Sequence, residues 1–193
     1  FVVSAQDPNF EREKYYKLGF VVRTFNNSSL KEDIGGEFLG FEGCWGVEVQ
    51  KNLTAELNTS MHWKKLDEGE KFRYREIGVL FDYRPSDFYL GIGPALASLE
   101  TQYKVVNNNI TSWDSYSDYA IGFSGRIGYI VHVSDKFNLY AEFKYSKINI
   151  EDDGEKIDVG TAGVSIGLKF LLMVIPYQKT LEEEIKFKGF LFI

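Results

Sequence analysis

The side chains of this sequence that are best suited to chemistry include a histidine and a serine two positions apart. His132 and Ser134, with Glu142 eight residues on, are the residue types of acyl-ester hydrolysis, in which a histidine activates a serine nucleophile and a carboxylate assists. The same segment is also ordinary turn chemistry, because Ser134 and Asp135 favour a chain reversal. The other histidine, His62, has no evident catalytic partner in the sequence. We therefore predict no catalytic residue and no enzyme activity.

A larger set of charged residues occupies alternate positions along the chain, on the same side as many glycines. The acids of this set are Glu42, Glu48, Glu56, Glu76, Asp82 and Glu142, and the bases are Lys17, Arg23, Arg126, Lys144 and Lys169. Alternation with a period of two indicates β-strands, whose successive side chains point to opposite faces. The other face of the same segments is apolar, as at Phe41, Trp45, Phe81 and Phe143.

Size and composition bound the class of protein. The chain has 193 residues, which predicts one domain. Aromatic residues make up 16% of it, yet mean hydropathy is −0.23 and no run approaches the roughly 20 apolar residues that a membrane helix needs. The net charge of −6 and the dispersed basic residues argue against a nucleic-acid partner. No zinc spacing or phosphate-binding loop is present, so no metal or cofactor is predicted.

Period-two alternation predicts eight strands, each long enough to cross a bilayer when tilted. They span residues 14–25, 36–50, 53–65, 71–84, 88–104, 117–133, 137–149 and 157–171. Short turns follow the second, fourth and sixth strands, whereas longer polar segments follow the odd-numbered ones, at 26–36, 66–70, 105–118 and 149–156. Short turns at one end and long loops at the other are typical of outer-membrane barrels. We predict an all-β fold, an eight-stranded antiparallel up-and-down transmembrane β-barrel, with ten strands as the alternative.

The side on which the charges lie distinguishes this pattern from that of a soluble barrel. Soluble carriers keep apolar side chains inside and present charges to water. Here the reverse arrangement would put the apolar face against lipid and the charged face inside the barrel. A soluble ligand-binding barrel remains a lower-ranked alternative.

Three segments carry a resemblance to a known family. They are "FYLGIGPAL" at Phe88–Leu96, "GRIGYIVHVSDKFNLYAEFKY" at Gly125–Tyr145, and "AGVSIGLKF" at Ala162–Phe170, which ends in an aromatic residue. The chain resembles the small outer-membrane β-barrels of the OmpA/OmpX type. The resemblance implies a monomer in a bacterial outer membrane, in contact with outer-membrane lipid and lipopolysaccharide. It says little about activity, because this scaffold hosts adhesins, lipid enzymes and inert anchors.

The ends of the chain are expected to lie outside the barrel. We predict a signal remnant or N-terminal segment at 1–13, the transmembrane barrel at 14–171, and a C-terminal periplasmic tail or extra strand at 172–193. Family members of this kind usually stop at the final aromatic residue, whereas here 23 residues follow Phe170.

Charges enclosed in so narrow a barrel must pair or bear a large desolvation cost. We therefore predict an ion-pair network that plugs the lumen, formed by Glu42, Glu56, Glu76, Arg126, Glu142, Lys144 and Lys169. The alternative is a gated narrow pore whose salt bridges exchange partners.

A second group of basic residues shares the lipid-facing parity near the loop end. Lys65, Arg73, Arg75 and Lys147 are predicted to contact lipopolysaccharide phosphates there, with solvated rim charges as the alternative.

The leading function that we predict is that of a structural or surface-interaction protein. Its extracellular loops would contact host or surface ligands while the barrel acts as an anchor. A small-solute or hydrophobic-ligand channel is the second hypothesis, and a lipid A-modifying enzyme is the third.

Overall fold

The structure, a computed structural model, describes residues 13–66, 70–107, 110–152 and 155–172. The predictions of a signal remnant at 1–13 and a tail at 172–193 therefore fall almost wholly outside the described residues.

Nine strands and one short helix make up the described chain. They are β1 Lys14–Phe25, α1 Ser28–Asp33, β2 Phe38–Gln50, β3 Leu53–Lys65, β4 Lys71–Tyr83, β5 Phe88–Asn107, β6 Ile110–His132, β7 Phe137–Asp152, β8 Glu155–Asp158 and β9 Thr161–Leu172. The helix begins at an Asn27 cap, whose side chain accepts from the backbone N–H groups of Ser29 and Leu30. No helix among the described residues is long and apolar enough to cross a membrane.

The strands close into a ring of eight. Each strand from β1 to β7 pairs antiparallel with the next, and β9 pairs with both β7 and β1. The closing pair runs from Lys14 opposite Leu172 to Phe25 opposite Thr161. Strand β8 lies outside the ring and pairs only with the outer end of β7. The prediction of an eight-stranded antiparallel barrel is confirmed, and the ten-strand alternative is wrong for the described part of the chain.

The two faces of the wall have opposite character. Phe20, Ile92 and Phe123 are each about two-thirds exposed on the outside, whereas Arg126 and Glu142 are 3% exposed inside. Because the strand repeat is two, this orientation holds along every strand of the ring. An apolar wall around a charged interior is the arrangement that a lipid surround requires.

Two of the predicted polar loops are strands instead. The segment 105–118 continues the β5–β6 hairpin, in which Asn107 pairs with Ile110. Residues 149–152 of β7 pair with residues 155–158 of β8. Their Thr, Val, Ile and Tyr residues favour extended backbone, and a register already fixed in the barrel carries the pairing outward. The prediction of loops at these positions was therefore wrong.

Inward-facing glycines make room for tyrosine rings. A Cβ on Gly46 would lie 2.2 Å from the ring of Tyr15, and one on Gly128 would lie 2.2 Å from the ring of Tyr89. Each glycine is the cross-strand partner of its tyrosine. These two glycines on the charged face are thus explained by the tyrosine rings that fold across them.

Candidate functional site

Arg126 of β6 lies at the centre of the lumen and contacts three carboxylates. Its Nε and Nη2 atoms donate to the two oxygens of Asp82 at 2.9 and 2.5 Å, a fork-to-fork pairing. Its Nη1 atom forms an ion pair with Glu56 and lies 3.5 Å from Glu142. The side chains of all four residues have no exposed surface. The charges in the lumen at this level are therefore paired and buried.

Two lysines join the remaining carboxylates to this centre. Lys17 lies 2.6 Å from Glu142 and 3.1 Å from Glu56. Lys144 forms an ion pair with Glu42 and lies 3.3 Å from Glu142. Because each lysine contacts two carboxylates, the ion pairs connect strands on opposite sides of the barrel into one set.

Each of the four lumen glutamates also accepts a hydrogen bond from a tyrosine hydroxyl. The pairs are Tyr15 with Glu56, Tyr74 with Glu76, Tyr89 with Glu142 and Tyr140 with Glu42. A buried carboxylate needs several hydrogen-bond donors to compensate for lost water. The tyrosine hydroxyls donate to carboxylate oxygens in addition to the cations. The tyrosines have the inward parity of their strands. They could have been identified from the sequence by following the alternation further along each strand.

Two of the seven residues predicted to form the lumen network have separate partners. Glu76 pairs with Arg23 at 2.7 Å and accepts from Ser124 at 3.0 Å, nearer the extracellular end. Lys169 pairs with Glu13 at the opposite end of the barrel. The structure brings the other five, Glu42, Glu56, Arg126, Glu142 and Lys144, together, and it adds Lys17 and Asp82.

The extracellular end of the lumen is closed by aromatic rings. Phe25, Phe38, Phe72 and Tyr74 are at most 2% exposed, and the ring centroids of Phe38 and Phe72 are 5.7 Å apart. His62 is fully buried beneath them, 5.4 Å from the Phe38 ring. We name Phe25, Phe38, Phe72 and Tyr74 the aromatic layer. The sequence prediction missed it because it assigned the inner face mainly from charged, polar and glycine positions, whereas these rings lie near the extracellular ends of their strands.

Arg84 closes the other end of the lumen. It lies in the short turn after β4, donates to the Tyr15 hydroxyl, and lies 3.6 Å from Asp82. In the predicted strand 71–84, Arg84 has the inward parity of Asp82, but it was not among the residues predicted to form the lumen network.

The structure gives the His132, Ser134 and Glu142 side chains separate partners. His132 Nε2 lies 2.9 Å from Asp87 Oδ1 on the surface. Ser134 Oγ accepts from the backbone N–H groups of Lys136 and Phe137, which is turn chemistry. Glu142 points into the lumen, where Lys17 and Tyr89 donate to it.

The outward-facing basic residues fall into two places. Lys65, Arg73 and Arg75 lie together on β3 and β4, where Arg73 Nη1 donates to Glu100 Oε2 at 2.9 Å. Lys147 is on β7, three strands round the barrel, and lies 2.5 Å from Asp158. Lys71 faces Lys65 across the β3–β4 pair and belongs to the first group, although it was not among the predicted contact residues.

No group of three or more potential metal-ligating side chains occurs among the residues that the structure describes.

A closed antiparallel ring with an apolar outer wall and a charged interior defines an outer-membrane β-barrel. The model of the outer membrane protein beta-barrel domain family matches residues 1–170, and the chain belongs to this family. The protein is therefore located in a bacterial outer membrane. No curated protein sequence matches the chain.

Solved structures share the fold at low sequence identity. A major outer membrane protein of Thermus thermophilus has a TM-score of 0.59 at 10% identity, covering 84% of this chain and 100% of that one. Ail of Yersinia pestis, solved in complex with the heparin analogue sucrose octasulfate, has a TM-score of 0.55 at 14% identity, covering 83% and 100%. Neisserial surface protein A has a TM-score of 0.50 at 15% identity, covering 83% and 99%. At these identities the likeness concerns the fold alone.

Proposed function

We propose that this protein is a surface-interaction protein in which a sealed barrel anchors an extended β-ribbon outside the membrane. The ribbon consists of residues 103–107 of β5 and 110–121 of β6. The proposal rests on one observation, the unpaired strand edge of this ribbon.

The β5–β6 hairpin is longer than the strands beside it. Strand β4 pairs with β5 only as far as Gln102, and β7 pairs with β6 only as far as Gly122. Among the described residues, no strand pairs with the β7-facing edge of 110–121. The backbone N–H and C=O groups of that edge are open to a further strand.

An open strand edge suits one kind of partner, an extended polypeptide segment. Such a segment adds to the sheet through backbone hydrogen bonds, while side-chain pockets set its specificity. Residues 110–118 of β6 would reach about 30 Å along the strand direction at about 3.3 Å per residue. This length offers a peptide of roughly nine residues a continuous edge.

The sealed lumen is the second part of the proposal. The ion pairs around Arg126 fill the middle, and the aromatic layer lies above them. An eight-stranded barrel has room for little beyond its own side chains. We expect single barrels in a planar bilayer to show no conductance steps, and steady ion current would contradict this part.

The ribbon is tested by shortening it. Replacing residues 101–116 by Asn-Gly joins Glu100 to Ser117, which already face each other, through a two-residue hairpin turn. Peptides would be selected from a phage-displayed library on the full barrel in nanodiscs, with empty nanodiscs as the counter-selection. We expect these peptides to bind the full barrel and to lose binding to the shortened one.

A direct reading of the edge accompanies the binding assay. Bound peptide should slow amide hydrogen exchange at 110–121 and leave exchange in the barrel strands unchanged. Equal binding to the shortened barrel, or no enrichment over empty nanodiscs, would count against the ribbon as the interaction surface.

A further inference from the structure

Four cations face outward on one side of the barrel wall. Lys65 lies opposite Lys71 across the β3–β4 pair, and Arg73 and Arg75 follow on β4. The Glu100 carboxylate accepts from Arg73 at 2.9 Å and from Arg75 at 3.4 Å. An adjoining crevice on the loop side, which Lys65 also lines, has three acidic residues, namely Glu32, Asp33 and Glu70. Glu100 thus pairs with two of the four cations, Arg73 and Arg75, and the group as a whole keeps a net positive charge.

These cations lie at the height where lipid headgroups begin. Tyr83 at the other end of β4 is outward and 56% exposed, as expected of an interfacial aromatic residue. At about 3.4 Å per residue and a tilt near 40°, Arg75 lies about 21 Å above Tyr83 and Arg73 about 26 Å above it. The apolar band of such a barrel is about 25 Å tall. Arg73 therefore lies at the upper boundary of the band, and Arg75 lies slightly inside it.

Two adjoining crevices in the wall share Trp63. One, of about 270 Å³, is lined by the cations Lys65, Lys71 and Arg73 and also by Trp63, Glu100 and Gln102 among others. The other, of about 380 Å³, runs down the apolar wall past Phe20, Leu39, Phe41, Val164 and Ile166. The Phe41 ring centroid lies 5.4 Å from that of Trp63. The wall thus presents an apolar groove that leads up to a cationic rim.

We propose that this wall binds a phosphorylated lipid of the outer leaflet, with the chemistry of the lipid anchor of lipopolysaccharide. Its acyl chain lies in the groove beside Trp63, and its phosphates contact Lys65, Lys71, Arg73 and Arg75. Arg side chains pair with phosphate through two parallel N–H groups, and desolvation near the hydrocarbon boundary strengthens each contact. This site does not depend on the proposed function of the ribbon, because it belongs to the barrel wall.

The chain supplies matched controls for both halves of the site. Lys147 has the same parity near the same rim, but it lies three strands away and Asp158 neutralises it. Trp45 is outward and 42% exposed, close to the 47% of Trp63, but it lies in the opposite half of the wall.

The test measures binding of fluorescent bis-phosphorylated lipid A to the full folded chain in zwitterionic micelles. The charge variant combines Lys65→Gln, Lys71→Gln, Arg73→Gln and Arg75→Gln. Its control removes four exposed lysines elsewhere, through Lys31→Gln, Lys51→Gln, Lys136→Gln and Lys147→Gln. Unchanged heat-modifiability on gel electrophoresis checks that every variant is folded.

We expect the charge variant to lose affinity about tenfold or more, since one charge-assisted hydrogen bond is worth about a factor of ten. The charge control should stay within about twofold, because its lysines lie outside the site. Lipid A stripped of its phosphates should bind the unmodified barrel as weakly as lipid A binds the charge variant. Trp63→Ser should weaken binding, whereas Trp45→Ser should not.

Three results would overturn the site. The first is unchanged affinity in the charge variant. The second is an equal loss in both charge variants, which would indicate nonspecific attraction. The third is displacement of labelled lipid A by inorganic phosphate as effectively as by unlabelled lipid A. That result would show that the apolar groove does not contribute to binding.

Discussion

Replacing Arg126 by methionine tests whether the interior of the barrel is sealed from water. The substitution keeps an unbranched, largely apolar stem but removes the cation that contacts Asp82, Glu56 and Glu142. Lys17 still reaches Glu142 at 2.6 Å and Glu56 at 3.1 Å, but Asp82 keeps only Arg84 at 3.6 Å and the Thr54 hydroxyl at 3.3 Å. The variant therefore leaves the Asp82 carboxylate buried in the lumen without enough partners to compensate its charge.

The size of the effect depends on the dielectric environment. Removing one partner of a buried ion pair costs about 3–5 kcal/mol, whereas the same change in a water-exposed pair costs about 0–1 kcal/mol. With a denaturant slope near 2 kcal/mol per molar urea, the buried case lowers the unfolding midpoint by about 1.5–2.5 M. Asp82→Asn added to Arg126→Met should recover part of the loss, because it removes the unpaired charge.

The assay is reversible urea unfolding of the barrel in lipid vesicles, followed by tryptophan fluorescence. Arg126→Lys serves as the charge-preserving control. Its unfolding midpoint should fall between those of the unmodified barrel and Arg126→Met, since a lysine cannot make the two-atom contact to Asp82. A midpoint shift below about 0.5 M for Arg126→Met would show that water screens these charges. The lumen would then be hydrated, and the sealed-barrel reasoning would be wrong.

Three further perturbations test other parts of the structure. Gly128→Ala should destabilise the barrel by about 1–3 kcal/mol through the ring of Tyr89, whereas Gly125→Ala in the same strand, whose added Cβ would meet its nearest atom at 3.5 Å, should leave the urea midpoint unchanged. Phe38→Ala should lower stability by about 3–5 kcal/mol without ion current in a planar bilayer, since the ion pairs below still fill the lumen. Asn27→Ala should speed amide exchange within α1 but leave the unfolding midpoint unchanged, because the cap is confined to a surface connection.

The sequence predicted which face of each strand meets lipid, because strand geometry converts a period of two directly into opposite sides. Glu142 and Phe143 are adjacent in sequence, and the first is 3% exposed while the second is 50% exposed. Height along a strand was also readable, as for Arg73 and Lys147 near the extracellular rim. Position around the ring was not, and these two residues lie three strands apart.

Pairing across the lumen could not be predicted, because it depends on the stagger between strands that are distant in sequence. Glu76 was grouped with Arg126, but the register places it with Arg23. The length of the β5–β6 ribbon was missed for another reason. Its polar residues were interpreted as a loop. Outside the membrane neither side of a two-stranded ribbon faces lipid, so its strands lack the apolar alternation that identified the barrel strands.

The lumen ion pairs join strands that are far apart in the chain, and this constrains how the barrel is assembled. Lys17 and Glu142 are separated by 125 residues, and Lys144 and Glu42 by 102. Neither pair can form until the first and last strands meet along the β1–β9 seam. Until that moment the charges lack these partners, so we expect a partly assembled barrel to keep them hydrated. Closure of the β1–β9 seam and loss of water from the lumen are then expected in a single late step. A substitution that removes one lumen ion pair should then delay closure of the whole barrel.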